Sequence, residues 1–330
     1  YVLHFAGKDP TVVSGGKMRN FEDAPMLGNA ITGTGAIVIE ADESDGTIAL
    51  YAPQISVLTN VSFDHVPLDE LVPLFTDYCG RADDFAVVNA DCEMSIAATD
   101  GLDRVTFGID AEADFRATSV VARPDGVSFA VNNQPITLPL PGKHNVSNAL
   151  AAIAACAGEG VRLEQVGEAL ASFKGIARRL EVLGTAGGVT VIDDFAHNPD
   201  KLSAAIAALK AFPGRLHVMF QPHGFGPTKM LRKGIVEAFS EGLSTEDCLW
   251  MPEIFYAGGT ADRSISSADL IDDVARRGIP ATYVADRDAL GDRLIKSVVS
   301  GDRVAIMGAR DDSLTTFGLG LLNGLSERTK

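Results

Sequence analysis

Short runs of apolar, β-branched residues recur along the chain, separated by segments whose apolar positions fall at helical spacing, and this alternation predicts βαβ units with mostly parallel sheets. Strands are expected at Ala36–Ile39, Ile55–Leu58, Phe85–Val88, Val189–Ile192, Leu216–Phe220, Cys248–Met251, Ala281–Val284 and Val304–Met307. Pro199–Lys210 is expected as a helix because proline suits a first turn, and Ser267–Arg277 because serines can cap its start and Gly278 follows its end. From Val105 to Leu140 strand-like segments are punctuated by Pro124-Asp125-Gly126 and Asn132-Asn133, a pattern of antiparallel hairpins expected as an appendage on the first sheet. An alanine-rich helix is expected over Asn145–Ala157, closed by Gly158. Phe173-Lys174-Gly175 is a candidate hinge, which places the domain boundary near Gly175, and Ser326–Lys330 is expected to be a frayed end.

At 330 residues with 46% apolar content, the chain exceeds what one core usually supports, which favours two domains. The balance of 28 basic against 44 acidic residues, net -16, repels nucleic acid and anionic lipid. It does not exclude nucleotides, because a phosphate site needs only a local positive field. Cys79, Cys92, Cys156 and Cys248 lie far apart without CxxC spacing and are read as reduced thiols. No window reaches the length of a membrane span and Tyr1–Gly7 lacks a leader pattern, so a soluble, cytoplasmic protein without membrane partners is expected.

Five motifs could carry chemistry. Glu40-Ala41-Asp42-Glu43-Ser44-Asp45 follows a predicted strand; alone it reads as a solvated acidic turn, but buried it would need a cation, with magnesium the obvious candidate. Thr59-Asn60 and Asp64-His65 follow the next strand, and two adjacent strand ends would bring Glu40 and His65 together as magnesium ligands. Gly142-Lys143-His144-Asn145-Val146-Ser147-Asn148 opens the alanine-rich helix, where amides can cap backbone groups or meet a base edge; capping explains Asn145 well and Asn148 poorly. Arg178-Arg179-Leu180-Glu181 precedes Asp193-Asp194-Phe195-Ala196-His197-Asn198-Pro199, which lies between a strand and a proline-initiated helix. Gln221-Pro222-His223-Gly224 follows the next strand and faces the same rim.

These motifs, with Pro141-Gly142-Lys143-His144-Asn145 and Phe173-Lys174-Gly175, occur in an order that resembles the Mur ligases over nearly the whole chain. The resemblance implies an α/β protein whose residues 1–175 form a central, mostly parallel-sheet ATPase domain and whose residues 176–330 form a C-terminal Rossmann-like, acceptor-binding domain. It implies an ATP-dependent, ADP-forming ligase of peptidoglycan precursor synthesis or recycling, tied to cell-wall biogenesis and cell division. Its partners would be small molecules: UDP-N-acetylmuramate and either L-alanine or a short peptide. On this pattern Glu40 and His65 match magnesium ligands, and His144, Asn145 and Asn148 match the stretch that meets the adenine of ATP. Arg179 matches a phosphate contact, Asp194 a ribose contact, and Asn60, His197 and His223 substrate-lining positions, with His197 and Arg179 nearest the chemistry. No covalent nucleophile is required, because positioning and charge neutralisation suffice for phosphoryl transfer.

The resemblance also has departures. The family's phosphate-binding loop and UDP-sugar domain are not found; Tyr1–Gly7 reads as the end of the helix that would follow that loop, so a fragment inactive by itself is expected. Gly224 and Pro227 stand where the alanine-adding branch places arginines; Phe63-Asp64-His65, Arg179-Leu180-Glu181 and Asp194-Phe195-Ala196-His197 lean toward the tripeptide-adding branch, Asp42–Gly46 and Gln221–His223 toward the alanine-adding one, and the acceptor stays open. Alternatives are a ligase for another carboxylate, such as a folate or polyglutamate, and a non-catalytic binding module.

Overall fold

The computed structural model describes residues 1–21, 28–43, 46–61, 68–123, 126–256, 258, 260 and 262–328. The chain divides into two compact units, Tyr1–Ala177 and Arg178–Lys330.

In the first unit, α1 (Val2–Phe5) precedes a small sheet of β1 (Thr11–Val13), β2 (Ala30–Ile31) and β3 (Ile37–Ile39), ordered β2-β1-β3 with β1 and β3 parallel. A second sheet runs in sequence order through β4 (Ile55–Leu58), β5 (Phe85–Asn89), β6 (Arg104–Gly108), β7 (Phe115–Arg123), β8 (Gly126–Val131) and β9 (Gln134–Leu138). It is parallel from β4 to β7 and antiparallel from β7 to β9. On one face α2 (Leu68–Gly80) and α3 (Glu93–Ala98) bury Leu71, Phe75 and Ala98 with Ala86 and Val88. On the other, α4 (Lys143–Gly158) and α5 (Leu163–Ala171) contribute Val146, Leu150, Ile153 and Val166, at helical spacing, to a core with Val87, Phe107 and Ile136.

The expected hairpin appendage is therefore part of the main sheet. β6 is not a hairpin strand but a parallel one, because Asp91 gathers the backbone N–H groups of Ile109, Asp110 and Ala111 and folds the following loop back. Asn132 and Asn133 do form the β8–β9 turn, both with positive φ (49° and 65°); Pro124 and Asp125 lie outside the described residues. Gly175 takes φ +86° where a Cβ would stand 2.9 Å from Leu140. Its carbonyl accepts from Arg19 N at 3.0 Å and Ala177 N donates to Lys17 O at 2.8 Å, so the expected hinge residue is stitched into the first unit.

The second unit is a three-layer α/β sandwich. Its elements are β10 (Glu181–Ala186), β11 (Val189–Asp194), α6 (Pro199–Lys210), β12 (Leu216–Gln221), α7 (Phe225–Gly242), β13 (Cys248–Met251), α8 (Ser267–Arg276), β14 (Ala281–Tyr283), α9 (Arg287–Ser297), β15 (Arg303–Gly308) and α10 (Leu314–Arg328). The strand order is β10-β11-β15-β12-β13-β14, parallel except for the β10–β11 pair. Leu202, Ile206, Phe239 and Leu270 from α6–α8 cover one face, and Leu290, Leu294 and Leu321 from α9 and α10 cover the other. Local chemistry sets the helix starts: the Asn198 side chain accepts from Lys201 N with Pro199 in the first turn, and Ser266 with Asp269 forms a capping box.

The C-terminal end is not frayed at Ser326. α10 continues to Arg328, whose guanidinium donates to the carbonyls of Ile295 and, at 3.0 Å, Val298, and only residues 329–330 lie outside the description. No described helix is long and apolar enough to cross a membrane, and all four cysteines are free thiols.

Candidate functional site

In the first unit, the parallel strands β1 and β3 end together, and Glu40 follows β3 as an exposed side chain. Its Oε2 accepts from Ser14 Oγ at 2.8 Å and from Gly15 N at 2.7 Å, which fixes the carboxylate at the strand ends. Asn60 is exposed two residues past β4. β3 and β4 are not paired neighbours in one sheet: β3 belongs to the three-stranded sheet and β4 is the edge of the six-stranded one. Asp64 and His65 lie outside the described residues, and among those described no group of three or more His, Cys, Asp or Glu could hold a metal. A single exposed carboxylate still fits magnesium, which keeps several waters and takes one or two protein oxygens.

Helix α4 starts at Lys143, two residues earlier than its apolar pattern suggested, because Gly142 with φ +103° turns the chain into it. No side chain caps this terminus. Asn145 is not the cap expected of it: its Nδ2 donates to Pro141 O at 2.8 Å, holding the entry loop rather than an orphan N–H. His144 and Asn148 are exposed and four residues apart, hence neighbours on one helix flank.

In the second unit the site is built on β11, β15 and β12, whose carboxyl ends align as Asp194 with Met307 and Gln221 with Gly308. Asp194 is 6% exposed; its Oδ2 accepts from Leu180 N at 2.7 Å and its Oδ1 from Ala196 N at 2.8 Å. Burial nevertheless pushes its pKa up, the two N–H donors and Arg179 acting in the opposite sense. A ribose contact at Asp194 would use the remaining lone pairs of oxygens already engaged in the fold.

The guanidinium groups of Arg178 and Arg179 stand over the Phe195 ring at 5.1 and 5.2 Å. Arg178 also donates to Gly308 O at 2.8 Å, while Arg179 is exposed. His197 Nδ1 lies 2.8 Å from Phe195 O, a carbonyl that can only accept, so Nδ1 carries the proton. The His197 ring is 5.4 Å from that of Phe195 and 5.5 Å from that of His223. His223 is held by a bridge to Phe255, and burial, together with the charge of Arg310, lowers its pKa so that the ring stays neutral at pH 7. A cavity of ≈ 420 Å³ lies beside these loops, lined by Gln221, Glu253, Tyr256, Arg287 and Asp311 among others.

Sequence reading missed Ser14 and Gly15, which position Glu40, Phe195, on which two arginines stack, and Arg310. The last follows a predicted strand, the signal used for the other motifs, but its left-handed backbone was not legible.

Both units thus set polar side chains at the carboxyl ends of parallel strands, the layout of α/β enzymes that handle small molecules. Residues 24–156 match the Mur ligase middle domain and residues 178–310 the Mur ligase, glutamate ligase domain. The UDP-N-acetylmuramate--L-alanine ligase of Geobacter sp. (strain M21) is 34% identical over 325 residues, 93% of this chain and 68% of that relative. The corresponding enzyme of Sorangium cellulosum is 35% identical over 338 residues, covering 96% and 70%. Among solved structures, UDP-N-acetylmuramate-alanine ligase MurC from Thermotoga maritima superposes with TM-score 0.79 at 26% identity, over 100% of this chain and 71% of that one. MurF ligase from Thermotoga maritima in complex with ADP shares the fold, with TM-score 0.73 at 16% identity, over 100% and 77%. The chain belongs to the Mur ligase family.

Proposed function

We propose that this protein is an ATP-dependent, ADP-forming ligase that joins UDP-N-acetylmuramate to L-alanine in peptidoglycan precursor synthesis. The observation that carries the reading is 34% identity to an enzyme of that name along 93% of the chain. The paired imidazoles of His197 and His223, 5.5 Å apart at the strand ends, support it as the acceptor side.

In this reaction the substrate carboxylate attacks the γ-phosphorus of ATP and ADP departs. The resulting acyl phosphate is attacked at its carbonyl carbon by the amine, the C–O bond to phosphate breaks, and the amine gives up a proton as the amide forms. Magnesium, held by Glu40 with His65, would neutralise phosphate charge. In the first unit, His144, Asn145 and Asn148 meet the adenine and Asn60 meets substrate. In the second, exposed Arg179 meets phosphate oxygens, Asp194 the ribose, and His197 and His223 line the acceptor amine's approach. ATP and UDP-sugars are cytoplasmic metabolites, which places the reaction there.

The test is the full-length natural enzyme with UDP-N-acetylmuramate, magnesium-ATP and L-alanine, monitored for ADP and for the product mass. Stoichiometric ADP and UDP-N-acetylmuramoyl-L-alanine are expected. Turnover with a tripeptide or a folate but not L-alanine would reassign the acceptor or the carboxylate.

A further inference from the structure

The second unit concentrates its backbone strain at one end. Its described non-glycine residues with positive φ are Arg178 (59°), Leu180 (48°) and Arg310 (61°). All three meet the carboxyl ends of β11 and β15: Arg178 donates to Gly308 O, Leu180 N donates to Asp194, and Arg310 lies two residues past Gly308. Side chains other than glycine, asparagine and aspartate seldom adopt this conformation, and where they do they cluster at functional sites.

Two of the three have a structural role that accounts for them. Arg178 is tied to Asp193 and Gly308, and Leu180 is buried in the core. Arg310 is exposed, and among the described residues its guanidinium forms no hydrogen bond or ion pair. Its position is set by the sheet: β15 lies between β11 and β12, so the loop bearing Arg310 emerges between the loop bearing His197 and the loop bearing His223. The charge of Arg310 is felt at His223.

We propose that Arg310 anchors the α-carboxylate of the acceptor amino acid, setting its amine beside the imidazoles of His197 and His223. This rests on the reading of that histidine pair as the acceptor side. A planar guanidinium matches a carboxylate with two parallel N–H donors, and the adjoining loop offers none, since Gly224 and Pro227 stand there. Of the other cations nearby, Arg179 stacks on Phe195 and is read above as the phosphate contact, and the rest are committed. Arg287 pairs with Asp311, Lys229 with Asp262 at 3.0 Å, and Arg263 stacks on Phe225 and Tyr256.

The experiment compares L-alanine with L-alaninamide, which lacks the carboxylate charge, in the full-length enzyme and its Arg310→Gly, Arg310→Ala and Arg263→Ala variants. In Arg310→Gly and Arg310→Ala, the KM for L-alanine should rise roughly 10- to 100-fold with little change in kcat, while the KM for L-alaninamide stays put. Arg310→Gly should melt at or above the wild-type temperature, because glycine adopts φ +61° without strain, so lost affinity cannot be ascribed to misfolding. If the wild type ligates L-alanine but Arg310→Gly keeps the same KM, the anchor assignment is overturned with the ligase reading intact. An equal loss for acid and amide overturns it too, as does a carboxylate-specific loss in Arg263→Ala instead. If the wild type ligates neither acceptor, the underlying reading fails first.

Discussion

The imidazoles of His197 and His223 stand 5.5 Å apart although they are carried by β11 and β12, two strands that β15 separates. Groups in contact should not act independently. A double-mutant cycle on kcat/KM for the acceptor, using His197→Ala and His223→Ala, is expected to give a coupling of about 0.5 kcal/mol or more. Additivity within about 0.3 kcal/mol would mean that the two rings serve separate steps.

Asp194 and Arg179 should separate stability from activity. Removing the Asp194 carboxylate leaves the buried N–H groups of Leu180 and Ala196 without acceptors, at a cost of roughly 1 to 3 kcal/mol each. Asp194→Ala should therefore lower the urea midpoint markedly. Arg179→Ala, at an exposed position, should change stability by less than about 0.5 kcal/mol yet depress turnover. A fully active Arg179→Ala enzyme would remove that side chain from the phosphate site.

Acid should destabilise the second unit before its carboxylates titrate. Burial and the charge of Arg215 hold His217 below the usual imidazole range, and burial and Arg310 do the same for His223. The unfolded chain takes up protons near about pH 6.5 that the folded chain refuses, so stability rises with pH through that window and is lost as pH falls below it. The urea midpoint is expected to be lower at pH 5.5 than at pH 7.5. His217→Gln, which can still accept from Trp250 Nε1, should flatten the dependence; an unchanged slope would assign the protons elsewhere.

Helix α10 contains glycines of opposite character. A Cβ at Gly318 would stand 2.5 Å from Leu183 Cδ1 and 2.7 Å from Ile306 Cδ1, whereas one at Gly320 meets nothing within 4 Å. Gly320→Ala should raise stability by about 0.5 to 1 kcal/mol through helix propensity, and Gly318→Ala should lower it by roughly 1 to 3 kcal/mol through overpacking. Thermal denaturation of the two variants decides the matter; equal shifts would contradict the close seating of this helix on the sheet.

Much of the fold was legible because its signals are local. Ile55–Leu58 and Cys248–Met251 fall where their β-branched and apolar runs placed them, and α6 begins at Pro199 for the reason its sequence suggested. Strand β10 was not, since Gly184 interrupts it and its residues are only partly buried. The parallel pairing of β6 goes with Asp91, 18 to 20 residues upstream of the amides it gathers, and such non-local hydrogen bonds leave no periodicity to read. At the site, residue types at strand ends announced His197, His223 and Asp194. What Asp194 bonds to, and the backbone geometry of Arg310, depend on tertiary contacts that no motif encodes.

From the last residue of β11 to the start of α6, four residues are each fastened by a different bond: Asp194 to the Leu180 and Ala196 amides, Phe195 N to Arg178 O at 2.7 Å, His197 Nδ1 to the Phe195 carbonyl, and Asn198 to Lys201 N. This segment is therefore shaped when the protein folds and not when a substrate arrives. On the acceptor role proposed for His197, its fixed ring would give an inhibitor that copies the acceptor a target with little ordering entropy to overcome on this side. The same rigidity leaves tolerance for bulkier amines to the loops after β12 and β15, so a change of acceptor in a related enzyme should be sought there and not beside His197.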